Sequence, residues 1–214
     1  MLFRSAFDPV QDARRLRGFY HRFNTSRDLA VFFWMIRRML EEHGTLENAF
    51  AAGLAPHDSD TGPAIRSFAS AMLATGYERF YPKRELRRRL GVRFLLPSPV
   101  DKSACKRMNL YLRWMVRPSD GVDCGVWTRI RSDQLVIPLD THIARISTYI
   151  GLTEMKNPGW AMALDITQGL RRLDAQDPLR YDFALCHLGI AGDCPRKRDL
   201  TKCFACPIKA ICRL

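Results

Sequence analysis

The stretch VIPLDTHIARI, Val136–Ile146, decides how the rest of the chain is read. Two apolar residues and Pro138 lead into Leu139, and Asp140 then stands where a helix should begin. Ile143, Ile146 and Ile150 recur at helical spacing, and Gly151 supplies the stop. Aspartate is among the best N-caps because its carboxylate accepts the free N–H groups of a first turn. The local pattern therefore suits a capping residue and a reacting one alike, and only the company it keeps can favour one.

Upstream, the break at Pro97–Ser98–Pro99 and the stop at Pro118 predict a helix over Lys102–Arg117. Wound at 100° per residue, it gathers Ala104, Met108, Tyr111, Leu112 and Met115 on an apolar stripe. Lys102, Lys106, Asn109, Arg113 and Arg117 fall on the opposite face. Lys106 is thus expected on a polar ridge, where crowding by other cations favours the neutral, nucleophilic amine. A solvated basic face explains the same pattern without any chemistry.

Further out, an amphipathic helix is predicted over Leu29–His43, capped by Ser26 or Asp28 and closed by Gly44. Shorter pieces follow at Leu46–Ala52 and, from Pro63, to about Ala74, separated by the turn-rich PHDSDTG. Two more helices are predicted, from Pro158 to Leu173 and from the Asp177–Pro178 signal through Leu188. LRGFYHRFN, Leu16–Asn24, reads as an aromatic-rich turn or short helix, and MLFRSAFDPVQDARRL before it shows no clear cap. Strand alternation and internal repeats are not evident, so the fold class is all-α.

The chain has 214 residues, enough for one large or two small domains. Its 34 Lys and Arg against 22 Asp and Glu leave a net charge of +12, which points first to a polyanion partner such as nucleic acid. The densest cationic run, Lys83, Arg84, Arg87, Arg88, Arg89 and Arg93, is interleaved with Phe80, Tyr81 and Phe94 and suits phosphate contacts. The longest apolar run, Ala30–Ile36, is far too short to span a bilayer, so no membrane partner is expected. With no signal peptide, the default compartment is the cytoplasm, near the nucleoid for a nucleic-acid partner.

The tail carries Cys194, Cys203, Cys206 and Cys212 in the pattern C-x(8)-C-x(2)-C-x(5)-C. A single C-x-x-C pair flanked by lone cysteines suits a 4Fe–4S cluster better than the two paired knuckles of structural zinc; zinc and free thiols stay open. Arg196, Lys197, Arg198 and Lys202 lie in or beside the longest gap, where a pinned loop would hold cations for phosphate. Cys105, Cys124 and Cys186 fall outside the pattern and read as inert or core positions.

Together the lysine-bearing helix, the DTHIARI stretch and the cysteine loop resemble the helix-hairpin-helix GPD superfamily of DNA glycosylases, which includes endonuclease III. LDTHIARI is similar to that family's VDTHIFRV segment, with Asp140 at the essential aspartate, and Lys106 best matches the lysine nucleophile. The family's LPGVGxxTA hairpin is absent; LLPSPVDKSACKRMNLYL stands in its place without the glycines. Lys106 and Asp140 are 34 residues apart, longer than in endonuclease III. The hairpin and the long separation resemble the archaeal 8-oxoguanine glycosylase branch. SACKRMNLYLRWMVRPSDGVDCGVW and YDFALCHLGI resemble an uncharacterised prokaryotic family within it.

The resemblance implies two helical subdomains, 1–132 with the atypical hairpin and 133–214 ending in the cluster loop. It implies a monomeric DNA-repair glycosylase with AP-lyase activity that excises a damaged base, an oxidised purine among the candidates, from double-stranded DNA. Lys106 would form a Schiff base at C1′ and Asp140 would stabilise the departing sugar. Lys102, Arg113, Arg196, Lys197, Arg198 and Lys202 would contact DNA, and Trp114, Trp127 or His142 would meet the flipped base. Because Leu16 already resembles the family's interior, an N-terminal segment is expected to precede Met1. The competing class is a non-catalytic iron–sulfur protein that binds damaged or structured DNA or RNA.

Overall fold

In the computed structural model, which describes residues 8–86 and 90–214, the chain is built from nine described α-helices and one two-residue antiparallel hairpin. The all-α expectation holds at that level. Residues 1–7 and the arginines 87–89 of the cationic run lie outside the described residues. The chain divides into two units, Met1–Pro56 with Pro63–Ser98, and His57–Gly62 with Pro99–Leu214. The division thus falls at residues 98 and 99 rather than at 132 and 133, and the lysine helix belongs with the cysteine tail.

In the first unit α1 spans Pro9–Arg15, capped by Asp8, whose carboxylate accepts from the Val10 and Gln11 N–H groups. The sequence reading missed this Asp-Pro start. β1 (Tyr20–His21) and β2 (Asn24–Thr25) then form the hairpin, too short for alternation to announce it. β2 runs into α2, Ser26–His43, whose N-cap is Thr25 and not Ser26 or Asp28. Asp28 sits at the third position and closes a capping box, its carboxylate accepting from the Thr25 N–H at 2.7 Å.

That carboxylate also accepts from Tyr81 Oη at 2.8 Å and Val92 N at 3.0 Å, so a buried acid has its lone pairs filled by donors far apart in sequence. α3 (Leu46–Ala51) and α4 (Gly62–Leu73) pack through Phe50 and Phe68, whose rings stack at 3.9 Å. Gly44 closes α2 at φ 77, where a side chain would be strained.

The second unit holds α5 (Lys106–Val116), α6 (Thr141–Tyr149), α7 (Trp160–Arg171), α8 (Asp182–Ile190) and α9 (Leu200–Phe204). Its core is built from Val136, Ile137 and Leu139 of the opening stretch, Ile143 and Ile146 of α6, and Met162, Ile166 and Leu170 of α7. The extended run into α6 is buried with its polar groups accounted for: Ile137 N–H donates to Thr167 Oγ1 at 3.1 Å, and Pro138 has no N–H to satisfy. Gly151, at φ 72, ends α6 as expected. No helix among the described residues is long and apolar enough to cross a membrane.

Candidate active site

α5 begins at Lys106, four residues later than the sequence predicts. A short 3₁₀ turn, Pro99–Asp101, precedes it, and Lys102 and Cys105 both take positive φ, 57° and 48°. The chain therefore cannot be helical from Lys102, whose exposed side chain lies off the α5 face. Its carbonyl instead accepts the Trp160 N–H at 3.3 Å and seats the loop on α7.

Asp140 caps α6. Its Oδ1 accepts from His142 N and Ile143 N, both at 2.8 Å. Its Oδ2 faces Lys106 Nζ at 2.9 Å, with the Lys106 side chain 46 % exposed and that of Asp140 13 %. Cys186 of α8 points its Sγ at the same Oδ2, 3.9 Å away. Burial pushes the Asp140 carboxyl up, but the Ile143 N–H, Lys106 and the His142 N–H outweigh it and hold it below the usual value. Burial, then Asp140 and Asp182, push the Cys186 thiol up, so it meets the carboxylate as an S–H donor.

A cation, a carboxylate and a thiol from α5, α6 and α8 thus share one partly open position. The sequence reading named the first two and left Cys186 as inert. The signal was available in YDFALCHLGI, because Asp182 and Cys186 at i and i+4 share a helix face.

The expected ridge of crowded cations on α5 does not form. Arg113 is buried, donating to Asp182 Oδ2 at 2.7 Å and Asp123 Oδ2 at 3.2 Å, and so cannot serve as a DNA contact. Arg117 is buried too, bonding Asp177 and Asp123. Asn109 is 1 % exposed. Burial raises the Asp182 carboxyl against the pull of Arg113. The nearest charge to Lys106 is therefore the carboxylate of Asp140 and not a like charge.

Of the residues expected to meet a base, His142 adjoins the site through its N–H, and its ring packs on Gly189, where a Cβ would come within 2.6 Å of it. Trp114 is exposed but lies eight residues along α5 from Lys106, a rise of about 12 Å. Trp127 sits edge-on to Tyr111 at 5.4 Å.

Cys194, Cys203, Cys206 and Cys212 line one cavity of about 260 Å³ together with Arg198 and Lys209. Among the described residues no three His, Cys, Asp or Glu side chains are grouped closely enough to hold a single ion. The four sulfurs thus line one space without converging on a single point among the described residues. α6 holds this loop: Arg145 Nη2 donates to the Cys194 carbonyl at 2.7 Å, Tyr149 Oη to that of Arg196 at 2.9 Å, and Arg213 N to that of Tyr149 at 2.7 Å. Arg196, Lys197 and Arg198 are exposed on the loop, whereas the Lys202 amine is spent on the Gly192 carbonyl at 2.8 Å.

Lys106 thus touches the carboxylate that caps α6, and the same helix holds the four-cysteine loop through Arg145 and Tyr149. A family model described as a protein of unknown function (DUF2400) matches residues 2–191, a span that includes both Lys106 and Asp140, and the chain belongs to that family. No curated protein and no solved structure matches it.

Proposed function

We propose that the protein is a DNA N-glycosylase with AP-lyase activity. The observation that carries the reading is the Lys106 Nζ–Asp140 Oδ2 contact of 2.9 Å between two helix starts within one unit. Asp140, held ionised by backbone N–H groups, suits stabilisation of the positive charge that grows on a sugar as its base leaves. Lys106 suits attack at C1′, forming the N–C1′ bond as the glycosidic bond breaks; the C1′–O4′ bond then opens, O4′ taking the electron pair and a proton, and the resulting imine promotes β-elimination of the 3′ phosphate. The nearest acceptor for the proton that the amine gives up is Asp140 Oδ2. The substrate must present C1′ to a partly exposed amine, so the nucleotide is flipped from the duplex. A damaged base lowers the cost of that step, and oxidised purines are the first class to try.

Cys194, Cys203, Cys206 and Cys212 would hold a 4Fe–4S cluster, whose role would be to fix the loop carrying Arg196, Lys197 and Arg198 against the DNA backbone. The test is borohydride trapping on duplexes bearing oxidised, deaminated or alkylated bases. The expected result is a covalent protein–DNA adduct that disappears in Lys106→Ala. An adduct that persists in Lys106→Ala, or none with any substrate, overturns the reading.

A second reading is favoured by the same ion pair: an amine tied to a carboxylate is a good structural link and a poor nucleophile. On that reading the protein binds nucleic acid without cutting it. Binding that survives Asp140→Asn, with no base released from any substrate, identifies it.

A further inference from the structure

The aromatic stretch Leu16–Asn24 plays no part in the site above. It forms the β1–β2 hairpin, with Arg22 at the turn and its backbone at φ 57. Tyr20 is 71 % exposed, Phe23 64 % and Phe19 40 %, a concentration of uncovered rings that isolated surface residues do not explain. The hairpin is firmly mounted: the buried Asn24 amide donates to the Gly91 carbonyl at 2.7 Å, the Phe23 and Phe94 rings lie 4.9 Å apart, and β2 enters α2 through the Thr25–Asp28 capping box. Rings carried on such a support lose little freedom when something stacks on them.

The charge along this stretch of chain has one sign. No acidic residue occurs between Asp12 and Asp28, while Arg14, Arg17 and Arg22 are exposed and make no ion pair among the described residues. An apolar protein surface would satisfy the rings and strand the cations. A polyanion built from flat rings satisfies both.

We propose that this hairpin is a nucleobase-stacking platform for single-stranded or locally unpaired nucleic acid, a second contact on the first unit. Tyr20 and Phe23 take the faces of unstacked bases, and Arg17 and Arg22 take the flanking phosphates. Every base has a π face, so the contact is indifferent to sequence. The proposal rests on the nucleic-acid reading above but not on its chemistry.

The test measures affinity of the full chain for a labelled oligothymidylate and for a duplex of the same length. Tyr20 is exposed enough that Tyr20→Ala leaves the fold intact, and Arg22→Asn keeps a residue that tolerates the left-handed turn. Tyr20→Ala is expected to weaken single-strand binding about tenfold, duplex binding by no more than about twofold, and Tyr20→Trp to restore it. Arg22→Asn is expected to lower the logarithmic salt slope for the single strand by ~0.7, one phosphate's worth. Unchanged single-strand affinity in Tyr20→Ala, or equal loss for strand and duplex, overturns the proposal. So does Tyr20-dependent attachment to phosphatidylglycerol vesicles without an effect on the strand. Borohydride trapping is scored separately on the wild-type chain: Tyr20-dependent strand binding without an adduct keeps this inference and fails the lyase reading, and an adduct without Tyr20-dependent strand binding does the reverse.

Discussion

Asp140 divides its work between its two oxygens. Oδ1 is committed to the first turn of α6, and Oδ2 to Lys106 and the Cys186 thiol. Asp140→Asn keeps an oxygen for the cap and removes the charge, whereas Asp140→Ala also loses the cap at a cost of about 1 kcal/mol. Urea unfolding of the two variants should differ by about that amount, with Asp140→Asn the more stable. The carboxyl titrates lower in the folded chain than in the unfolded one, so its ionised form stabilises the fold. That contribution is fully present above about pH 5, a unit over the unfolded value near 3.9, and is lost as pH falls through the folded value. The stability gap between wild type and Asp140→Asn should therefore be flat from about pH 5 to pH 7 and close in stronger acid. At Cys186 the raised thiol makes a different forecast. At pH 8 iodoacetamide should label the exposed Cys124 well before Cys186, as peptide mass mapping would show. Asp140 was legible as the cap before an apolar periodic run, and Lys106 as a cation on the polar face of the predicted helix. For Cys186 the sequence offers only a helix face shared with Asp182; its contact with the carboxylate depends on α8 reaching Asp140 from 46 residues away.

At the scale of elements, α5 shows what helical periodicity reports and what it leaves out. The wheel correctly placed Asn109, Arg113 and Arg117 on one face, but periodicity cannot say what covers a face. Here the loop through Asp123, together with Asp177 and Asp182, buries the arginines in an acid-lined seam. The Arg113 and Asp182 side chains are each 4 % exposed. Truncation to Arg113→Ala leaves the Asp182 carboxylate without its cation in a dry site, while Asp123 keeps Arg117, and should cost about 3–5 kcal/mol in urea unfolding. The double variant Arg113→Ala, Asp182→Ala should recover part of that loss, since no unpaired Asp182 charge remains. The late start of α5 was equally hidden, because nothing in VDKSACKRM marks Lys102 and Cys105 as left-handed. α6 was read well at both ends, yet its side contacts were not. Arg145 and Tyr149 fasten the cysteine loop through backbone carbonyls, which carry no sequence signal. Tyr149→Phe should speed amide hydrogen exchange across residues 194–203 without moving that of α7.

For the whole molecule, helical periodicity was the guide to fold class, and composition the poorest guide to detail. The net charge of +12 foretold a polyanion reading, but it counted Arg113 and Arg117, which the fold has spent internally, equally with Arg196 and Lys197, which it leaves outside. The cysteine pattern likewise fixed four residues and left the metal open. The two metals make different demands on the four sulfurs. Zinc draws four sulfurs to about 2.3 Å from one point, whereas a cube of iron and sulfide keeps its thiolates apart around its own volume. The four cysteines line a cavity of about 260 Å³, and the cluster proposal rests on their spacing in the chain. Protein purified without oxygen should therefore carry about four irons per chain and little zinc, measured by elemental analysis. Oxidative removal of that iron should loosen residues 194–212 in hydrogen exchange and weaken DNA binding at low salt, because the loop cations lose their fixed positions. The Lys106–Asp140 contact does not pass through those cysteines, so the core of α6 should stay protected while the loop opens. About one zinc per chain, or iron loss that leaves the loop equally protected, would remove the cluster from the account and return the tail to an ordinary basic surface.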